Sequence, residues 1–260
     1  QLGAPSRKDY LEHCLSFQVE GGKGKVSGFR FKGGLDMLLL DAKLAESFRM
    51  VLPAGATCPL MLSFCVEGSL HHQLEDGERA FDLVAMQSSI SANSFFKHEE
   101  ILLTESPRHV VVLLFIDRKK FLQRKDGRRK EIASRLSEAF KDVKGRDPFY
   151  YKTNYNLATS DILQEIMDDH NRGLVRSTLM EGLALQLISY QIVQFQTNLE
   201  NPQRALVLRE EELDLIFRAK SLLLEQMHDP PTISELAFQL GINQTKLKNN
   251  FKKVFGIPVK

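Results

Sequence analysis

A short stretch near the end of the chain carries side chains that can read nucleic acid. Gln244, Thr245, Lys248, Asn249 and Lys252 recur at spacings that place them on one side of a helix. Amide side chains can pair bidentately with adenine edges in the major groove, and lysine can meet guanine or phosphate. Positions 242–260 contain five lysines and no acidic residue, so the local field favours phosphate. The pattern predicts a DNA-binding surface made of these five residues.

Local signals predict the two short helices that would hold this surface. Thr232 followed three residues later by Glu235 is a capping box, which starts a helix near Ile233. Gly241 can take the left-handed conformation that ends this helix, and Asn243 can cap the next one. The apolar side of the second helix repeats every four residues, at Leu247, Phe251 and Phe255. Two helices joined by a glycine turn are typical of a helix-turn-helix, although an ordinary α-hairpin with a solvated lysine face has the same spacing.

The helices before this motif are predicted from their apolar periodicity. One covers Leu157 to His170, a second covers Leu174 to Phe195, and a third covers Glu210 to Met227. The second carries a broad stripe, which is explained either by packing on its own domain or by pairing with a second copy of the chain: Val175, Leu179, Leu183, Leu187, Ile188, Tyr190 and Phe195. The polar segment from Thr197 to Leu206 is interpreted as an interdomain linker.

The front half of the chain has the residue pattern of an antiparallel sheet. From about Lys25 to Ile116, short apolar runs alternate with turn residues, and Glu75, Asp76 and Gly77 indicate a hairpin. Many short strands at regular spacing predict a β-sandwich of the jelly-roll type. After Asp117 the pattern becomes helical, and its lysine- and arginine-rich run, with a turn at Asp126 and Gly127, is interpreted as a solvated helical face.

Composition sets limits on the class of protein. A chain of 260 residues with 43% apolar content can build real cores, and its net charge of +2 favours no polyanionic partner by itself. Three cysteines without a CxxC spacing predict free thiols in a reducing compartment. The longest apolar run, from Val110 to Ile116, is too short to cross a membrane. Without a secretory leader as well, we expect a cytoplasmic protein.

The C-terminal residues resemble a known family. The stretch PPTISELAFQLGINQTKLKNNFKKVFGIPV is similar to the first helix-turn-helix of the AraC/XylS transcription regulators, and its GIN..KLK..FK..FG form is similar to the subgroup related to the pyochelin regulator. The stretch GLVRSTLMEGLALQLISYQI resembles the linker-helix region of that subgroup. By motif position, the resemblance implies that Thr245, Lys248 and Asn249 face bases, with Gln244 and Lys252 at base or phosphate. Leu236, Ala237, Gly241, Leu247 and Phe251 would be packing residues.

The resemblance implies an α+β protein of several domains. A cupin-like effector-binding domain would occupy 1–116, a helical linker and dimerisation region 117–200, and the first half of a DNA-binding domain 207–260. Promoter DNA, RNA polymerase, a second copy of the chain and a small-molecule effector, in this subgroup a siderophore, are the implied partners. The family has a second helix-turn-helix that would begin beyond Lys260, and one unit alone is expected to bind DNA weakly.

Two other functions are compatible with a cupin-like front half. A metal-dependent cupin enzyme needs several inward-facing histidines, but His71 and His72 are adjacent and would face opposite sides of a strand. His98 and His109 do not complete a recognisable pattern, and the sequence has no GxSxG, Walker loop, HExxH or Rossmann glycine fingerprint. We therefore expect no catalytic residue, metal or cofactor. The second alternative is a sensor or partner-binding protein without DNA recognition.

Overall fold

The front half of the chain folds into two antiparallel sheets. The structure is a computed structural model that describes residues 6–19, 21–52, 58–74, 80–92, 99–103, 106–123, 134–200, 210–226, 230–255 and 258–259. The strands are β1 Ser6–Asp9, β2 Glu12–Val19, β3 Gly22–Phe31, β4 Leu35–Leu44, β5 Phe48–Leu52, β6 Leu60–Glu67, β7 Ser69–Leu74, β8 Ala80–Val84, β9 Gln87–Ala92, β10 Glu99–Leu103, β11 Ser106–Ile116 and β12 Phe149–Asn154. The predicted sandwich is confirmed.

The larger sheet has eight strands in the order β1-β2-β3-β4-β11-β6-β9-β12, and the smaller has four in the order β5-β10-β7-β8. Non-sequential neighbours such as β4 and β11 show that the chain crosses between the sheets rather than running as a simple meander. The space between the two sheets forms one of the two apolar cores.

Strand β11 explains how both cores are filled. Val111 and Leu113 lie in the core between the sheets, whereas Val112, Leu114 and Ile116 lie in a second core that also contains residues of the helices. Successive side chains of a strand point to opposite faces, so a strand that is covered on both sides reads as an unbroken apolar run. The run from Val110 to Ile116 is therefore the central strand of a covered sheet.

Seven helices follow in the described residues. They are α1 Arg118–Gln123, α2 Ser134–Lys141, α3 Leu157–Asp168, α4 Gly173–Glu200, α5 Glu210–Glu225, α6 Ile233–Gln239 and α7 Gln244–Phe255. Helix α4 packs its buried side chains, including Leu183, Leu187 and Phe195, against the outer face of the eight-stranded sheet and against α3. The predicted α+β organisation, with a β-rich front half and an all-helical end, is confirmed.

Two expectations about the middle of the chain are corrected. Residues 117–200 are not helical throughout, because Phe149–Asn154 forms β12 and pairs with β9. Its sequence, FYYKTN, is rich in the aromatic and β-branched residues that favour strands. The linker does not begin at Thr197, because α4 continues to Glu200.

The apolar runs of the sequence predicted seven strands, which the structure contains as β3, β5, β6, β7, β8, β10 and β11. Five further strands were not predicted: β1, β2, β4, β9 and β12. Strand β9, with the sequence QSSISA, resembles a polar loop but is buried along its whole length between β6 and β12. The predicted turns at Glu75–Gly77 and Asp126–Gly127, and the linker from position 201 to 206, lie outside the described residues. None of Cys14, Cys58 and Cys65 forms a disulfide, as predicted.

Candidate functional site

Helix α6 begins at the predicted capping box. The Thr232 backbone N–H donates to the Glu235 carboxylate at 2.8 Å, and the Glu235 N–H donates to the Thr232 hydroxyl at 3.3 Å. Each side chain thus satisfies a backbone donor that has no partner within the helix. The hydrogen bonds to Thr232 lower the pKa of the Glu235 carboxyl from its ordinary value. The start of α6 is therefore fixed by residues only three positions apart.

The turn between α6 and α7 is a Schellman motif around Gly241. The Ile242 N–H donates to the Ala237 carbonyl at 3.0 Å, and the Gly241 N–H donates to the Phe238 carbonyl at 3.1 Å. Gly241 has φ of 65°, in the left-handed region that glycine adopts without a steric penalty. Asn243 then caps α7, because its side-chain oxygen accepts from the Lys246 N–H at 2.7 Å.

The apolar side of α7 packs inward. Leu247 is 0% exposed and Phe251 is 6% exposed, and both belong to the core that contains Leu236 and Ala237 of α6. Phe255 is also buried and lies edge-on to Phe251, with ring centroids 4.6 Å apart. Four of the packing residues implied by the family motif, Leu236, Ala237, Leu247 and Phe251, are buried, whereas the fifth, Gly241, is exposed and forms the turn.

The opposite side of α7 is open. Gln244, Thr245, Lys248, Asn249 and Lys252 are all exposed. Neither Lys248 nor Lys252 has an ion-pair partner among the residues that the structure describes. The five residues predicted from sequence thus share one accessible surface, which we call the α7 polar face.

Two side chains of α7 contact the neighbouring helices α5 and α6. Lys246 turns back to α5 and pairs with Glu212, with 2.9 Å between Nζ and Oε1. Gln244 donates from Nε2 to the Ser234 hydroxyl of α6 at 3.2 Å, so its amide is held at the junction of the two helices. Lys246 therefore has a structural contact that Lys248 lacks.

Histidines in the sandwich are separated by the sheet. His72 is fully buried in the smaller sheet and lies edge-on to Phe81, with ring centroids 4.5 Å apart. His71 instead lies toward solvent, with Nδ1 2.7 Å from the Asp82 carboxylate. His109 is buried elsewhere, beside Gly68, and His98 lies outside the described residues. In the part of the chain that the structure describes, no three potential metal-ligating side chains converge.

Three buried serines mark the interior of the sandwich, and the sequence analysis missed them. Ser63 of β6 pairs with Ser89 of β9 and with Leu113 of β11, whose side chain lies in the core between the sheets. Ser91 follows on the same face of β9. The hydroxyls of all three have no hydrogen-bond partner among the described residues. Unpaired buried hydroxyls cost free energy, so this face is suited to a polar ligand.

Comparison with known protein families identifies the family of this chain. A family model described as the regulatory protein PchR N-terminal domain matches residues 22–208, well over half of the chain. The chain belongs to this family. The resemblance to the subgroup related to the pyochelin regulator, predicted from the sequence, is thereby confirmed.

The individual proteins that resemble this chain share less than 30% sequence identity with it. The regulatory protein PchR of Pseudomonas aeruginosa PAO1 is 29% identical over 115 residues, which cover 44% of this chain and 38% of that protein. The match thus spans little more than a third of the relative's length. The crystal structure of the AraC-like transcriptional activator CuxR is similar over 92% of this chain and 80% of its own, with 10% identity and a TM-score of 0.39. The crystal structure of an apo ToxT variant from Vibrio cholerae is similar over 85% and 94%, with 12% identity and a TM-score of 0.38.

None of the helices in the described residues combines the length and the apolar character that crossing a bilayer requires.

Proposed function

We propose that the protein is a ligand-responsive transcription regulator that reads promoter DNA in the major groove through α7. The observation that most directly supports the proposal is that one side of α7 is buried and the other is exposed. Leu247 and Phe251 are buried, while the α7 polar face is exposed and lies in a segment without acidic residues. A protruding helix fits the major groove, where amides recognise adenine and ammonium groups meet guanine or phosphate.

Within this proposal the residues of the α7 polar face have different tasks. Thr245, Lys248 and Asn249 contact base edges, and Gln244 and Lys252 contact base or phosphate. RNA polymerase is the proposed partner at the promoter, and the cytoplasm is the proposed location. Family membership supports a regulatory role, and the exposure of all five side chains supports their accessibility to a duplex.

The effector site is proposed to lie between the two sheets. Ser63, Ser89 and Ser91 offer unpaired hydroxyls on the inner face of the larger sheet. A small molecule that accepts or donates hydrogen bonds would satisfy them, and the resemblance to the pyochelin-regulator subgroup suggests a siderophore. The placement of His71 and His72 on opposite faces supports a sensor rather than a metal-dependent enzyme, because only one of them can reach an interior ligand.

A homodimer is proposed on the exposed face of α4. The exposed residues of this helix from Leu174 to Val193 carry no charge: Leu174, Val175, Thr178, Gly182, Gln186, Ser189, Tyr190 and Val193. Val175 is 61% exposed and Val193 is 55% exposed. A helix face turned to water normally carries charged side chains, so this face is suited to pairing with its copy.

A gel-shift titration tests DNA binding. The probe is a duplex carrying the region upstream of the protein's own gene, at about 50 mM and about 200 mM salt. We expect Asn249→Ala to weaken binding by about 1–3 kcal/mol, because a bidentate base contact is lost. Lys248→Gln should also weaken binding, because its ammonium group no longer meets a base edge.

Lys246→Gln is the matched control for this experiment. It removes the same charge two residues away, but Lys246 is paired with Glu212 and lies off the α7 polar face. We expect a much smaller loss of affinity than for Lys248→Gln. Equal losses in the two variants, or unchanged binding by Asn249→Ala, would contradict the proposed orientation of α7 on DNA.

A further inference from the structure

Strand β12 occupies an unusual place in the fold. It is the last strand of the eight-stranded sheet and pairs with β9, the strand that carries Ser89 and Ser91. It also directly precedes α3, whose N-cap Asn156 accepts from the Thr159 N–H at 3.0 Å. An end strand with a single sheet neighbour is easier to displace than a central one, because fewer ladder hydrogen bonds hold it.

The inner face of β12 contacts the interior and the opposite sheet. Tyr150 is the register partner of Ser91, and Lys152 is the register partner of Ser89. The Tyr150 ring stacks on Phe81 of β8, with centroids 3.9 Å apart. Lys152 donates from Nζ to the backbone carbonyl of Asp82 at 2.6 Å. These two contacts close the sandwich along the β12–β8 edge, beside the unpaired serines.

The outer face of β12 contacts the last turns of α4. Asn198 donates from Nδ2 to the Tyr151 hydroxyl at 2.6 Å and to the Thr153 hydroxyl at 3.1 Å. The Phe195 ring lies edge-on to Tyr151, with centroids 4.8 Å apart. Gln194 also donates to the carbonyl of Asn154. The end of α4 is therefore attached to β12 by side chains as well as by packing.

We propose that β12 transmits effector binding between the sheets to the C-terminal end of α4. This inference rests on the proposed function, since transmission has a role only if the interior binds an effector and α7 binds DNA. Residues 150 and 152 face the interior while 151 and 153 face α4, so a shift of the strand moves both sets together.

The order of the elements along the chain connects the end of α4 to the proposed DNA-binding helix α7. Helix α4 ends at Glu200, and segment 201–209 connects it to α5, which contacts α7. An effector that binds more tightly when β12 is in one position would also favour one position of the α4 end. The difference in its affinity for the two positions limits the size of this shift. The unpaired hydroxyls of Ser63, Ser89 and Ser91 would supply the hydrogen bonds by which such an effector prefers one position.

Hydrogen exchange followed by mass spectrometry tests the coupling without DNA or effector. Tyr150→Leu removes the stack on Phe81, and Lys152→Met removes the bond to Asp82 while keeping most of the side chain. We expect amide exchange in residues 194–200 to become roughly two- to tenfold faster in each variant, the range that the loss of one aromatic pair or one hydrogen bond allows. Residues 176–188 of the same helix should exchange as in the wild type.

Tyr10→Leu is the matched control. Tyr10 is an exposed tyrosine between β1 and β2, at the opposite edge of the same sheet, so its loss should leave residues 194–200 unchanged. The inference is overturned if both parts of α4 accelerate equally in the β12 variants, which indicates general destabilisation, or if neither does. Because the gel shift is a separate measurement, DNA binding with unchanged exchange would reject the coupling alone. Coupled exchange without DNA binding would reject the proposed function.

Discussion

Arg176 shows how one buried side chain fixes the start of α4. Its Nε lies 3.1 Å from the Glu12 carboxylate of β2, and its Nη1 donates to the Asp169 carbonyl at 3.0 Å and to the Asp169 carboxylate. The guanidinium also lies over the Phe29 ring, 5.5 Å from the centroid. Burial raises the pKa of Asp169, but hydrogen bonds from Asn171 and Arg176 outweigh it and hold the pKa below its ordinary value. Arg176, Glu12 and Asp169 therefore form a buried ion-pair group at the start of α4.

Replacement of Arg176 is expected to be costly. Arg176→Met leaves Glu12 and Asp169 as buried charges without their cation, so we expect the free energy of unfolding to fall by about 3–5 kcal/mol. Urea titration followed by circular dichroism measures this change. Arg30→Met is the control, since the Arg30–Asp36 pair is largely exposed and should contribute no more than about 1 kcal/mol. Similar losses in the two variants would contradict the role given to burial.

At the scale of elements, the α6–turn–α7 unit depends on the backbone of Gly241. A Cβ atom added there would meet no heavy atom within 4 Å outside the glycine and its two chain neighbours, so contact with the rest of the fold is not what requires glycine. The requirement is φ of 65°, which places a Cβ close to the following carbonyl oxygen. The angle at which α7 leaves α6 is therefore set by one residue.

Two substitutions separate backbone strain from packing at this turn. We expect Gly241→Ala to destabilise the protein by about 1–2 kcal/mol, because alanine is strained in the left-handed region. Gly241→Asn should cost less, since asparagine tolerates that conformation better than other residues. Thermal unfolding of the two variants and the wild type measures the order. Equal effects would indicate that the missing side chain, rather than φ, explains the glycine.

The strands show which elements escape sequence analysis. The helices of the C-terminal unit were predicted almost to the residue, because caps and apolar spacing lie within a few positions of one another. Strand β9 was missed because four of its six side chains are polar, and its burial comes from β6 and β12 on either side. Only the pairing of distant segments makes QSSISA a strand.

At the scale of the whole molecule, the α4 stripe divides into a buried set and an exposed set. Leu183, Leu187 and Phe195 are buried in the protein's own core, as packing on its own domain predicts. Val175 and Tyr190 are exposed and lie on the uncharged face of α4. Packing within one chain therefore explains the first set, and the proposed homodimer concerns the second.

A charge placed on this face should weaken the dimer. We expect Val193→Glu to raise the dimer dissociation constant more than about tenfold, because pairing would bury an uncompensated carboxylate. Sedimentation velocity over a range of protein concentrations measures the change. Leu199→Glu is the control, because Leu199 is also exposed but lies on another side of the same helix. A wild-type protein that stays monomeric, or equal effects of the two variants, would contradict the proposed interface.

The sequence by itself determined the C-terminal helix pair, the exposure pattern of the α7 polar face and the family, because these follow from residues close together in the chain. Tertiary structure decided the rest. Ser63 and Ser89 face the interior only because β6 pairs with β9, and Arg176 meets Glu12 across 164 positions of sequence. Likewise, β12 faces both the interior and α4 only after the sheet is complete. Contacts of this kind depend on which distant segments pack together. The spacing of residues that are close in the chain does not predict this.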